Sequence, residues 1–325
     1  MRFHLCIPAY NEERTIRRTL RFLDKELQES ALRPSVMVCC NGCTDRTAQA
    51  IRDIEEELSF PITTLCSERG MLNAQRAMLK AIDDDFPIVF MDADLLVPAQ
   101  TLHNMLGALD GQVKVASAYP YLESPPSGTL LSRLKQGMLN IKRIDPQVEV
   151  AVSDVSRFHP GATSDFERQS RIYFHGTCFA VEGKRSCVFP PASSAVRGDD
   201  TFLSHYLLTH EGSGSVKVLY DAPVYCYPVF SVHSHLRVWF RIRKDLEMLY
   251  SEYPEFLPLR QHTMMRVNWR RVLQMSLEHR CYAIGYWLLK RYEGIVYWWK
   301  KDSTIIDAVW SYDVKQVAQD PEEAD

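Results

Sequence analysis

Pro87-Ile88-Val89-Phe90-Met91-Asp92-Ala93-Asp94 is the stretch on which the fold turns. Its apolar run is short and unbroken, as expected of a strand buried on both faces. Asp92 closes that strand, and Asp94 follows one residue later. Carboxylates so spaced place their oxygens on the same side of the turn. Unpaired, they would repel, and one would tend to take up a proton. A hard divalent cation resolves the conflict, with phosphate oxygens completing its shell. The same residues also serve as solvated turn aspartates, or as a cap for the helix expected over Leu95–Leu109. The triplet alone does not separate these readings.

Outward from it, apolar runs alternate with helical patterns. Phe3–Ile7 reads as a strand stopped by Pro8, and Glu12–Glu29 as a helix facing inward through Ile16, Leu20, Leu23 and Leu27. Val36–Cys40 is a second strand ended by Asn41-Gly42. Thr44 or Asp45 then caps a helix over Arg46–Leu58, with Ala48, Ile51 and Ile54 inward. Ile62–Cys66 is a third strand, before a helix over Leu72–Asp83. This rhythm predicts an α/β fold, a mainly parallel twisted sheet flanked by helices, and such sheets take ligands beyond the carboxyl ends of their strands.

The pattern weakens from Ala118 to about Arg171, where Pro120, Pro125, Pro126, Gly128 and Pro160 intervene around a helix expected over Leu130–Ile144. That segment reads as an insertion or lid. Strands resume at Ile172–Phe174, Cys178–Val181 and Val216–Tyr220. Helices dominate from His235, and an acidic tail covers Gln319–Asp325. The division expected is 1–115, 116–235 within the same domain, and a helical region over 236–325.

Composition excludes several classes. The 325 residues are 46% hydrophobic and 24% charged, as in globular chains, with a net charge of −3 and no long basic block, so no nucleic-acid footprint is present. Nine scattered cysteines and an N-terminus without a signal-peptide pattern lead us to expect a reducing, cytoplasmic setting. Cys40-Asn41-Gly42-Cys43 is formally a CxxC, but lacks the second pair a zinc site needs and the long helix a thioredoxin-like motif opens. No apolar stretch is long enough to span a bilayer. The region around Cys281–Leu289 is rich in Tyr and Trp. It reads as an amphipathic helix packed on the body, or as a peripheral contact with a membrane or hydrophobic acceptor.

The strand ends carry the sharper signal. Ile7-Pro8-Ala9-Tyr10-Asn11-Glu12 closes the first, Asn41-Gly42-Cys43-Thr44-Asp45 the second, and Ser67-Glu68-Arg69-Gly70 the third. In this order, with Asp92-Ala93-Asp94, they resemble the donor half of the inverting glycosyltransferase family 2, which has the GT-A fold. The resemblance is close over residues 3–110 and looser over 170–245. It implies that Pro8, Ala9, Tyr10 and Glu12 line the nucleobase and ribose, with Glu12 accepting from a ribose hydroxyl. It implies that Asn41 and Asp45 meet the base, usually uracil, and that Arg69 and Gly70 lie beside the nucleotide. Asp94 would be the principal ligand of Mn²⁺ or Mg²⁺, with Asp92 and Ala93 beside it. Where many relatives have an acidic pair, this chain has Cys40-Asn41.

Gly198-Asp199-Asp200-Thr201 is the next landmark. By the same resemblance Asp200 is the catalytic base, which removes a proton from the acceptor hydroxyl. Asp199 and Asp200 also suit the N-terminus of a helix over Thr201–Leu208. His175-Gly176-Thr177 lies where relatives contact sugar or acceptor. His233 or His235 would complete the metal shell, and Arg241 would hold the leaving diphosphate. The implied activity is inverting, metal-dependent hexosyl or N-acetylhexosaminyl transfer from a nucleotide-sugar donor, UDP-linked by expectation. The acceptor would be a polysaccharide, a lipid-linked sugar or a small molecule. Rival readings are a sugar nucleotidyltransferase, which normally carries a glycine-rich loop where Pro8–Glu12 stands, and an inactive nucleotide-sugar binding protein.

Overall fold

β1 (Arg2–Ala9) sits inside a seven-stranded sheet of order β3-β2-β1-β4-β6-β5-β7, in a computed structural model that describes residues 1–154, 174–263 and 266–300. The other strands are β2 (Arg33–Asn41), β3 (Ile62–Ser67), β4 (Ile88–Met91), β5 (Val115–Leu122), β6 (Cys178–Val181) and β7 (Val216–Cys226). β1 is parallel to β2 and β4, β2 to β3, and β5 to β7; β6 alone runs antiparallel, against β4 and β5. The fold class is the one expected. Because β2 and β3 lie on one side of β1 and β4 on the other, the strand order reverses between β1 and β4. That switch point is where open α/β sheets bind ligands.

Alternation along β1 builds both faces of the sheet. Leu5 and Ile7 pack with Ile16, Leu20 and Leu23 of α1 (Ile16–Gln28), Ile51 and Ile54 of α2 (Thr47–Glu55), and Leu102 and Met105 of α4 (Ala99–Gly107). Cys6 points the other way, into Ala74 and Met78 of α3 (Met71–Ala81) and Leu203 and Leu207 of α7 (Asp199–His210). Each fully buried Leu or Ile contributes about 1.5–3 kcal/mol. Beyond β5 come α5 (Leu130–Leu139) and α6 (Pro146–Val152). Beyond β7 come α8 (Val232–Glu252), the short α9 (Trp269–Val272) and α10 (Leu277–Lys300).

Several boundaries differ from the sequence reading. β1 continues through Pro8 to Ala9, because Pro removes one donor without bending the strand out of register with Cys39 and Cys40. α1 starts only at Ile16, after Asn11 takes the left-handed conformation at φ 54°. α2 stops at Glu55, and α4 starts at Ala99 after Pro98. The helix from Leu130 ends at Leu139, followed by a 3₁₀ turn over Ile141–Arg143. No strand is expected over Val115–Leu122, and the irregular segment is expected to begin at Ala118, yet these residues form a buried strand, β5, despite Pro120. β7 runs six residues past Tyr220, to Cys226, with a register shift opposite Ala118/Tyr119. Phe174 is buried outside any regular element, while Ile172, Tyr173 and the acidic tail lie outside the described residues.

Candidate active site

At the end of β4 the burial alternates. Ala93 and Leu95 point into the core, which turns Asp92 and Asp94 together toward the opposite, half-buried side. The triplet's backbone is held from three directions. The Asp92 N–H donates to the Thr177 carbonyl at 2.8 Å, the Thr19 hydroxyl of α1 donates to the Ala93 carbonyl at 2.9 Å, and Leu96 bridges to Tyr225 of β7. The carboxylates are thus presented on a rigid support.

Register places the other strand ends beside it. Ala9 pairs with Cys40, Cys40 with Cys66, and Asn41 with Ser67. Pro8 and Asp92 each lie two residues beyond the paired Cys6 and Phe90. Arg69 stacks over the Tyr10 ring at 4.4 Å, forming one wall. Gly42 (φ +69°) donates to the Ser67 carbonyl and lies so close to Arg69 that a Cβ would stand 2.8 Å from the Arg69 Cβ. Gly70 (φ +133°) opens α3. Its N–H approaches the Asn41 Oδ1 at 3.4 Å.

The remaining expected base and ribose contacts are also fastened in place. Asp45 Oδ1 accepts from the Thr47 N–H at 3.0 Å and its hydroxyl at 2.5 Å, while Oδ2 accepts from the Glu13 N–H at 3.1 Å. Asn11 takes the Thr44 N–H at 2.9 Å. Buried Glu12 takes the Thr15 hydroxyl at 2.5 Å. The CxxC thiols are unequal. Cys40 is pushed up and Cys43 drawn down to about 6, chiefly by their mutual hydrogen bond, and Cys43 donates to the Ala9 carbonyl at 3.3 Å.

Across the crevice, Gly198 precedes α7, so Asp199 and Asp200 occupy its first turn, where a helix N-terminus favours negative charge. Asp199 is nevertheless pushed up to about 7 by burial, with the adjacent Asp200 charge adding. The Gln75 amide of α3, which donates to Asp199, opposes the shift. Asp200 is also raised by burial. The N–H and hydroxyl of Thr201, the Arg241 guanidinium and the Gly176 N–H pull the other way. Asp245 on α8 accepts from the N–H groups of Arg197 at 2.6 Å and Gly198 at 2.9 Å, fixing the turn that enters α7.

The loop His175-Gly176-Thr177 joins the two halves. Thr177 holds Asp92, and a Cβ on Gly176 would stand 2.5 Å from Asp200 Oδ2. His175 packs on Tyr119 with ring centroids 5.6 Å apart. Its pKa is lowered to about 3 by burial and by Lys142 and Arg143, which keeps the ring neutral. Lys142 is itself lowered by burial. Burial pushes the Cys226 thiol up, with Arg143 opposing the shift and Asp94 and Asp92 adding to it.

Sequence reasoning did not identify Gln75, Lys142, Arg143 or Asp245. The two basic residues fall in the segment taken for an insertion, and Gln75 and Asp245 sit inside helices where nothing local distinguishes them. His235 directs its Nε2 to the Glu293 carboxylate of α10 at 2.8 Å, whereas His233 is exposed. No group of three or more His, Cys, Asp or Glu side chains that could hold a metal converges among the described residues. The protein therefore offers the paired carboxylates, and a bound diphosphate would complete an ion's shell. The buried Thr177 hydroxyl meets no partner among the described residues, which fits a polar group bound beside Asp92.

The mainly parallel sheet, flanked by helices and followed by a helical C-terminal region, is of the GT-A type. Residues 4–160 match the model described as Glycosyl transferase family 2, the family that the strand-end motifs resemble. The mannosyltransferase PcManGT from Pyrobaculum calidifontis, solved with GDP-Man and Mn²⁺, is 17% identical over 95% of this chain and 84% of its own, with a TM-score of 0.50. Glucosyl-3-phosphoglycerate synthase from Mycobacterium tuberculosis, solved with Mn²⁺, UDP and glucosyl-3-phosphoglycerate, is 14% identical over 77% and 78%, with a TM-score of 0.48. S. aureus TarS 1-349 is 14% identical over 91% and 92%, with a TM-score of 0.43. No curated protein sequence matches significantly.

Proposed function

We propose that this glycosyltransferase moves a hexosyl or N-acetylhexosaminyl group from a nucleotide-diphosphate sugar, UDP-linked by preference, to an acceptor hydroxyl with inversion. The observation that carries the reading is the placement of Asp92 and Asp94 on one side of a single short loop and of Asp200 on the other. That separation of roles suits a single displacement. The leaving diphosphate belongs at the triplet, and the attacking hydroxyl at Asp200, on the opposite face of the anomeric carbon.

Asp94 with Asp92 would hold Mn²⁺ or Mg²⁺, which when bound neutralises charge on the diphosphate. Tyr10, Glu12, Asn41, Asp45, Arg69 and Gly70 form the nucleoside wall. Arg143, beside Cys226 of β7, and Arg241, beside Asp200, would supply positive charge for the diphosphate. Asp200, raised by its half-buried setting, takes the acceptor proton. The donor half is residues 1–115 and the acceptor side 116–235, both built on one sheet.

GDP-mannose and Mn²⁺, the ligands of the similarly folded mannosyltransferase, belong in the first ligand panel beside UDP-sugars. A thermal-shift panel of nucleotide sugars, each with Mn²⁺ and with Mg²⁺, fixes donor and ion. Donor hydrolysis then separates an enzyme from an inactive binder. Asp200→Asn should retain nucleotide binding and lose roughly 10²–10⁴-fold in turnover. Normal turnover by that variant would remove Asp200 from the reading.

A further inference from the structure

Among the described residues, helix α10 packs one face against the body and exposes the other. Tyr282, Ala283 and Tyr286 pack with α5, α6 and α9, and Glu293 pairs with His235 and Lys290. Tyr297 packs with Phe240 of α8. Outward, Leu277 (75% exposed), Ile284, Leu288, Tyr292, Ile295 and Trp299 (78% exposed) follow one another at spacings of seven, four, four, three and four. Those intervals keep them on one stripe about 33 Å long. Trp298, beside the stripe, is 71% exposed. Solvent-facing helix surfaces are normally polar, and a contiguous apolar strip of this length marks an interaction surface.

The surroundings say what kind. Arg133 pairs with Glu278 at 2.6 Å, which puts the N-terminus of α5, with its exposed Leu130 and Leu131, at the Leu277 end of the stripe. Residues 266–300 carry seven Lys and Arg against two Glu, a net +5 in a chain whose total is −3. Arg270 and Arg291 are exposed among these. Two copies meeting through this face would bring like charges together, whereas an anionic surface would complement them. Among the described residues no helix is long and apolar enough to cross a membrane.

We propose that the outer face of α10 docks on the surface of an anionic lipid bilayer. The helix lies in the interfacial plane, its Leu and Ile side chains enter the acyl boundary, Tyr292, Trp298 and Trp299 sit at headgroup level, and the basic residues contact lipid phosphates.

The test uses the full chain and sedimentation with vesicles of phosphatidylcholine alone or doped with phosphatidylglycerol. The wild-type protein should partition onto the anionic vesicles roughly tenfold or more above the neutral ones, and added salt should weaken that binding. Leu288→Ser/Ile295→Ser should lower partition by roughly tenfold, with thermal melting and lipid-free donor hydrolysis unchanged. The proposal is overturned if the full chain binds neither vesicle, if its binding ignores salt, or if the double variant binds as the wild type does. It is equally overturned if the stripe instead supports a lipid-free dimer that the double variant dissociates. Should the double variant melt early, Arg270→Glu/Arg291→Glu provides the second readout: unchanged binding to anionic vesicles would also sink the idea.

Discussion

Gly176 lies flat against the carboxylate of Asp200, leaving no room for a side chain: a Cβ there would stand 2.5 Å from Oδ2 and 2.8 Å from the Asp200 Cβ. Its N–H also helps hold Asp200 ionised. Gly176→Ala should therefore displace Asp200, the proposed base, more than the β4 carboxylates. Displacements of about 1 Å cost roughly 10²-fold in rate. The expected outcome is a kcat lowered by that order with nucleotide affinity within a few fold, measured by initial rates and calorimetry.

The acidic pair should set a pH dependence. Asp199 is raised to about 7, and Asp200 is raised as well, so donor turnover should climb through the neutral range as the site loses its proton. Asp199→Asn removes the neighbouring charge and should move the rising limb to lower pH. Gln75→Leu removes a hydrogen bond to the ionised form and should move it higher. Stability follows the opposite course. A carboxyl raised on folding contributes fully below its unfolded value of about 4. That contribution is lost as pH rises through about 7. Melting temperatures of wild type and Asp199→Asn across this window test the sign.

Asp94→Ala should weaken UDP binding by about tenfold or more, about 1.4 kcal/mol, and abolish its dependence on added Mn²⁺ or Mg²⁺. Asp92→Ala should do less to the ion. Calorimetry with and without metal separates them, and equal effects would contradict the division of roles.

Gly42→Ala tests the wall opposite. At φ +69° a side chain costs about 1–2 kcal/mol in backbone strain, and the Arg69 backbone 2.9 Å from the new Cβ adds more. A melting temperature several degrees lower is expected, with weaker nucleotide binding because Arg69 can no longer lie over Tyr10. Retention of both would mean that the turn relaxes freely.

How much of this was legible followed the range of the interactions. β1 to β4, the helices between them and the motifs at their ends are written in local periodicity, because each strand alternates or saturates with apolar residues regardless of its neighbours. β5 was not, since Pro120 and the small residues around it look irregular until β6 and β7 supply partners on both sides. Pro8 ended a strand on paper and not in the sheet, where its missing N–H costs one ladder bond while the register with β2 persists. Arg143 could not be found from its neighbours. Its place beside Cys226 of β7 depends on a turn after α5 that is held to Tyr119 of β5.

The sequence by itself determined the class of fold and which residues stand at the carboxyl ends of β1 to β4, the two carboxylates among them, because strand rhythm and strand-end residues are local properties. Only the tertiary structure decided how the two halves of the site meet. The contact of Thr177 with Asp92 and of Gly176 with Asp200, the burial that raises Asp199 and Asp200, and the joining of His235 to Glu293 all bring together residues distant along the chain. Desolvation and close packing depend on everything that surrounds a group, and no spacing along the chain encodes that environment.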